Sequence, residues 1–249
     1  MLLKSATEQT SSGLASISGS QSHASDYTVG ATSANTLQLN IVSPDESETR
    51  VMHSAVVTEL TLTMDTGTNG GRLRASGTLW SGFRPKVGVN AITDGSTAAN
   101  AALDKDNLFA CSSIEISTNQ VIAKACSFTI AHPASRVGFA AAASANSNTG
   151  EPYEYVRNRI DVTGSINVKM QDDSVSQLAL WLAGTSSGIL VGDEGTSGGA
   201  SATDIFMECP TAKYTGHNVD LGAEDGVFIE LPFQATATGS NKLFTWKFA

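Results

Sequence analysis

A chain of 249 residues with 41% hydrophobic content is long enough for one large β domain or two small ones, yet no apolar run approaches the roughly 20 residues needed to cross a bilayer. Fifteen basic against 24 acidic residues leave a net charge of −9, which disfavours tracking of a phosphate backbone by bulk attraction. Three widely spaced cysteines (Cys111, Cys126, Cys209) and no Asn-x-Ser/Thr acceptor argue against a disulfide-built secreted domain.

Met1-Leu-Leu-Lys4 is too short for the apolar region of a cleaved leader, so synthesis and assembly in a reducing cytoplasm are expected. Cys111 and Cys126 each adjoin apolar residues and read as buried small hydrophobes. Only 16% of residues are charged, and Ser, Thr, Gly and Asn fill much of the remainder, a composition of sheet surfaces and turns.

Residues 1–25 are rich in Ser, Thr, Gly and Gln without periodicity and read as an extended arm, ordered only where a surface holds it. Residues 26–249 read as a single β domain. Thr36–Val42 alternates, with Leu37, Leu39 and Ile41 on one face, and Pro44–Glu48 is an acidic turn. Val56–Met64 alternates again and forms a predicted hairpin with Arg72–Phe83 across the turn Asp65–Gly71. Two long loops are expected at about 84–107 and 131–157, the second containing the low-complexity run Ala140–Ser147. Between them, Leu108–Ile116 and Val121–Ile130 read as a second hairpin.

Asn158–Gly184 is the most informative stretch. Ile160, Val162, Gly164, Ile166, Val168 and Met170 alternate with polar residues, which makes a half-buried strand. At Asp172-Asp173 the period changes. Val175, Leu178, Ala179 and Leu182 fall at helical spacing, with Asp172 or Asp173 as cap and Gly184 as terminator, so one short helix is expected at about 173–183. Val175, Leu178 and Leu182 are expected to face the sheet. Gly184–Ala202 reads as a Gly-rich connection, followed by strands at Ile205–Tyr214 and Gly226–Thr238, with Leu243–Phe248 extending the sheet. Val57–Met64 and Ile160–Met170 echo one another in alternation and in ending on Met before an acidic turn.

Chemical motifs are sparse. Asp65-Thr66-Gly67-Thr68 matches the loop of aspartic proteases, which need a second such loop to share a proton. No second Asp-Thr/Ser-Gly occurs, so a polar hairpin turn is the favoured reading. His23, His53, His132 and His217 show no metal-ligand spacing and read as surface or interface residues. Asp193-Glu194-Gly195 and Asp225-Gly226 lack the repeated acidic positions of a calcium loop. There is no glycine-rich phosphate loop. Trp80, Trp181 and Trp246 lie in predicted elements and read as core or interface. No enzyme, cofactor or metal site is expected.

Four segments carry a family resemblance: Ser76-Gly-Thr-Leu-Trp-Ser-Gly-Phe83, Phe109-Ala-Cys-Ser-Ser-Ile-Glu-Ile-Ser-Thr-Asn119, Val162-Thr-Gly-Ser-Ile-Asn-Val-Lys-Met-Gln-Asp-Asp173, and Asp225-Gly-Val-Phe-Ile-Glu-Leu-Pro-Phe-Gln-Ala235. In order and pattern, over most of residues 50–249, the chain resembles the major tail tube proteins of long-tailed (siphovirus-type) bacteriophages. It departs from them in its Ser/Thr-rich start and in the Thr118-Asn-Gln120 turn. The resemblance implies a mainly β fold, an antiparallel β-sandwich or barrel of the tail tube type with one short α-helix and long loops. It implies a structural virion protein in the viral tail, assembled in the host bacterial cytoplasm into homo-oligomeric, hexameric rings. Stacked rings would form the tube through which DNA passes on ejection.

Partners implied are further copies of the chain within and between rings, the terminator, distal tail and tape measure proteins, and passing DNA without specific binding; no membrane is involved. The loops and the N-terminal arm would bridge rings. Candidate ring-forming positions are Val57, Glu59, Thr61 and Thr63 in one strand, Asp161, Thr163, Ser165, Asn167 and Lys169 in another, and Glu230 and Gln234 in the last. The helix would pack behind the sheet, away from the channel. Six copies at −9 each would carry about −54, so a lumen neutral or acidic toward DNA is expected. The alternative reading is a β-sandwich that binds carbohydrate, mediates adhesion or decorates a capsid.

Overall fold

The computed structural model describes residues 6, 15–18, 27–28, 37–42, 49–81, 86–87, 113–117, 119–137, 154–157, 159–170, 174–192, 206–221, 226–236 and 242–247. They form a mainly β, antiparallel architecture: one 14-stranded sheet curled into a half-barrel, a separate three-stranded sheet, and two short helices. In chain order the strands are β1 Ala15–Ser18, β2 Tyr27–Thr28, β3 Leu37–Val42, β4 Thr49–Asp65, β5 Arg74–Trp80, β6 Lys86–Val87, β7 Ser113–Ile116, β8 Asn119–Gln120 and β9 Ala123–Ala131. There follow β10 Ala134–Val137, β11 Glu154–Arg157, β12 Asp161–Lys169, β13 Ser187–Gly192, β14 Phe206–Tyr214, β15 Asn218–Asp220, β16 Phe228–Ala235 and β17 Lys242–Lys247. The helices are α1 Thr66–Asn69 and α2 Ser174–Ala183.

The large sheet has two walls that share β14. One runs β5-β4-β9-β12-β16, with β15 beside the first half of β16. The other runs β1-β17-β14-β13-β7-β8. The fork arises because β14 pairs with β17 through Phe206–Glu208 and with β16 through Ala212–Tyr214. Pro232 explains part of it. Having no N–H to offer a neighbour, it sits where β14 has ended and β15 has not begun, and only its carbonyl is used, by the Thr215 amide at 2.8 Å.

Period-two burial builds the core between the walls. Across the first wall, Leu60, Ile130 and Val162 form one inward row, and Met64, Cys126 and Ile166 another. The row between them runs Leu62, Phe128, Gly164, Phe233. A Cβ on Gly164 would lie 2.2 Å from the Ser127 carbonyl and 2.4 Å from Phe233, so the glycine leaves room for an aromatic on each side. Phe128 also meets Phe244 of the second wall, ring centres 5.5 Å apart. That aromatic contact ties the walls together.

Several expectations change. Asp65–Gly71 is a capped helical turn rather than a plain loop: Asp65 accepts from the Gly67 amide at 2.7 Å, and Gly70 ends α1 at φ 60°. β7 and β9 are not a hairpin. β7 pairs with β8 and β13, whereas β9 crosses into the first wall between β4 and β12. The loop expected at 131–157 contains β10 and β11, which pair with each other and with β2. Within 84–107 only β6 is described, paired to β4.

The connection expected at Gly184–Ala202 contains β13, whose Ile189, Leu190 and Val191 are all buried. A run buried on both faces has no alternation to betray it. Within the expected arm, Ala6 is fully buried and β1 pairs with β17. Pro44–Glu48, Ala140–Ser147, Cys111 and His23 lie outside the described residues.

Helix α2 is turned from the expected orientation. Gln177 is buried and accepts from the Tyr214 hydroxyl at 2.9 Å, while Leu180 and Trp181 pack on the core. Leu178 is 37% exposed and Leu182 71%, so these two do not face the sheet; the Val175 side chain is outside the described residues. Residues 178–183 are apolar all round, so several stripes fit the helical period. The Tyr214 hydrogen bond selects the one that begins at Gln177.

Candidate functional site

Register places the polar halves of the first wall on one outward face. Glu59, Ala131 and Asp161 lie in one cross-strand row. The next is Ser76, Thr61, Thr129, Thr163, Gln234, and the third Arg74, Thr63, Ser127, Ser165, Pro232. A fourth holds Asp65, Ala125, Asn167, Glu230 and Asn218. Residues directly opposite in antiparallel strands project to the same side, so these rows make a continuous surface.

Hydroxyl pairs stitch the middle of that surface. Thr61 and Thr129 lie 3.1 Å apart oxygen to oxygen, and Ser127 and Ser165 3.0 Å. The Ser165 amide donates to the Ser127 hydroxyl at 3.2 Å. Charges keep to the ends of the strands. At one end Asp161 is bridged to Arg159 at 3.2 Å. At the other, the Asn218 amide group donates to Glu230 at 3.3 Å, and the Lys124 ammonium stands 5.6 Å from the centre of the Phe228 ring. The two central rows hold hydroxyls, an amide and a proline, with charges only at their edges, Arg74 on β5 and Lys213 of β14 opposite Gln234.

Of the candidate positions, Glu59, Thr61, Thr63, Asp161, Thr163, Ser165, Asn167, Lys169, Glu230 and Gln234 fall on this face. Val57 does not: a register shift between Val57 and Glu59 turns it into the core, where it is 1% exposed. The central strand, β9, supplies Ser127 and Thr129, which sequence reasoning left out. The signal was present, since Cys126, Phe128 and Ile130 alternate with Ser127 and Thr129. Ser76 and Thr78 on β5 were missed because both faces of that strand are exposed over Arg74–Thr78.

A cavity of about 450 Å³ opens at the α1 end of the core, lined by Met64, Asp65, Ile114, Val121, Lys124 and Cys126 among others. Its one carboxylate, Asp65, is engaged in capping α1. Among the described residues no three His, Cys, Asp or Glu side chains gather as a metal site. His132 is buried rather than on a surface, its Nδ1 2.9 Å from the Ala6 carbonyl oxygen. His217 stacks on Trp181 at 6.0 Å. Cys126 and Cys209 are buried; burial, then the neighbouring Cys126 and Glu208, push the Cys209 thiol well above its ordinary range, which keeps it protonated and unreactive. Trp246 is buried, and Trp80 and Trp181 are partly buried against apolar clusters. Among the described residues, no helix is long and apolar enough to cross a membrane.

No protein-family model matches the chain, and no curated protein matches it. The surface itself therefore carries the argument. It is a broad, hydroxyl-rich sheet face whose middle rows carry charge only at their edges, Arg74 and Lys213, backed by an aromatic core.

Proposed function

We propose that this chain is a structural virion protein, the repeating subunit of stacked homo-oligomeric rings that form a long-tailed phage's tail tube, with the polar face of β4, β9, β12 and β16 lining the channel. The observation that carries this reading is the composition of that face. Three strands far apart in sequence bring their Thr, Ser, Asn and Gln residues onto one surface, around β9.

Such a lining suits DNA in transit. A duplex carries one negative charge per roughly 1.7 Å and is held wherever Lys and Arg form a track. The middle rows here offer hydroxyls that exchange hydrogen bonds with water, and their cations stand only at the two edges, Arg74 and Lys213, so no cationic track crosses them. The carboxylates at the strand ends repel rather than bind. Partners in this reading are further copies of the chain, the other tail proteins, and DNA passing without specific contacts. The role is architectural, and no catalytic group is assigned.

Negative-stain electron microscopy of the purified, concentrated protein tests the reading. Rings or stacked tubes with a stain-filled central hole are expected. A protein that stays monomeric at high concentration and binds glycans would overturn it in favour of a carbohydrate-binding or adhesion module. An assembled tube whose lumen is lined by lysines and arginines would overturn the account of DNA passage.

A further inference from the structure

β7 and β8 belong to the second wall and β9 to the first, so the backbone crosses between the walls through Val121 and Ile122. Each of the two is fastened to a different side. The Val121 amide donates to the Ile114 carbonyl on β7 at 2.9 Å, and the Ile122 carbonyl accepts from the Lys169 amide on β12 at 2.8 Å. The Thr66 hydroxyl ties α1 to the Lys124 carbonyl at 3.1 Å. All of these residues but Lys169 line the cavity of about 450 Å³, so its frame is hydrogen-bonded into the fold and preformed.

The lining sorts by chemistry. Met64, Ile114 and Cys126 are buried, and Val121 and Ala123 pack beside them against the core. Thr66 and Gln120 are exposed and so stand at the mouth. The charged lining residues are Asp65 and Lys124, one of each sign, so the cavity favours neither an anion nor a cation. The Gln120 side chain, by contrast, both donates and accepts. Outside the mouth apolar surface continues, since Ile122 is 59% exposed and Met170, next to Lys169, 51%. An engineered cavity of about 150 Å³ with an aliphatic and aromatic lining takes up benzene, so three times that volume has room for an alkyl chain of roughly eight carbons.

We propose that this cavity binds an uncharged, single-chain amphiphile, its alkyl tail among Met64, Ile114 and Cys126 and its hydroxyl head hydrogen-bonded to Gln120 at the mouth. The tail and the apolar lining both leave water, which supplies the drive. A charged head would bring one like-signed neighbour for each opposite one and would lose hydration besides, so it gains nothing over a hydroxyl. The site lies between the walls rather than on the polar face, and it stands apart from the tube reading.

The test titrates N-phenyl-1-naphthylamine, an uncharged dye that brightens in apolar surroundings, into the intact chain. Saturable, one-to-one enhancement is expected, reversed by 1-octanol at lower concentration than by octanoate or octyltrimethylammonium. Ala123→Trp fills the cavity, and Gln120→Trp covers its mouth from the exposed β8, which keeps the test open should the first variant fail to fold. Each, once shown to be folded by circular dichroism, should bind the dye at least about tenfold more weakly. Leu182→Ser, on the 71% exposed flank of α2, should leave binding unchanged. No saturable binding by the native chain, or undiminished binding by a folded Ala123→Trp or Gln120→Trp variant, would overturn the site. Loss of binding in Leu182→Ser would overturn it in favour of the outer face of α2. Displacement by octanoate or octyltrimethylammonium at lower concentration than octanol would overturn the uncharged head.

Discussion

The two walls of the half-barrel solve different problems with the same backbone. The first is wet on one side and dry on the other, so β4, β9, β12 and β16 alternate residue by residue between hydroxyls and aliphatic or aromatic side chains. The second is dry on both sides at β13, where Ile189, Leu190 and Val191 are buried in succession. Alternation leaves a surface free to act. Continuous burial holds that surface in place. What an antiparallel sheet does for function is therefore written in its half-exposed strands, and what it does for stability in the others.

The largest effect on this division should come from the contact that joins the walls. Phe128→Ala removes the ring that meets both Phe233 and Phe244, and a loss of about 4 kcal/mol in urea denaturation is expected. An undiminished midpoint would mean that the walls are not tied there. Gly164→Ala strikes the polar wall from inside. Its methyl group would overlap the Ser127 carbonyl and the Phe233 ring, at an expected cost of about 3 kcal/mol, read from the same curve.

Alkali probes the second wall and its helix. Burial raises the Tyr214 phenol from its ordinary 10 to about 12, partly offset by a hydrogen bond to Ser187. Between those values the unfolded chain releases the proton while the folded chain keeps it. Stability from this group is thus full below pH 10 and is lost as pH climbs toward 12, by about 2–3 kcal/mol. Tyr214→Phe should flatten that stretch of the stability–pH curve, and an unchanged slope would contradict the burial of the hydroxyl. The smallest effect is expected from Leu178→Asp. Its side chain is 37% exposed, so the change should alter stability by no more than about 0.5 kcal/mol, with soluble, folded protein recovered. Insoluble protein would return Leu178 to the core.

Legibility in the sequence follows the same division. Val162–Val168 and Phe228–Phe233 announce their inward faces through alternation, and the polar residues between them could be nominated from the sequence. Their convergence could not, because pairing β4 and β12 on either side of β9 depends on contacts remote along the chain. Val57 was nominated wrongly for a local reason, since one register shift reverses the face of every residue before it. Ser187–Gly192 was hidden because two glycines flank an unbroken apolar run. In α2 the difficulty was excess: Leu178, Leu180, Trp181 and Leu182 are all apolar, and a polar residue, Gln177, decided which way the helix faced.

Pro232 has a mechanical consequence. A sheet strand can in principle slide along its neighbour by two residues and keep every side chain on its own face. Here such a slide would carry the imide nitrogen of Pro232 opposite a β14 or β15 carbonyl in need of a donor, and would remove the Thr215 amide from the one carbonyl it uses. The proline acts as a detent. It fixes β16 at a single position along the wall and so fixes the point at which the two walls part. In the proposed tube, where copies would repeat many times with the same curvature, such a stop would keep an error of one notch in one copy from being inherited by the geometry of every copy after it.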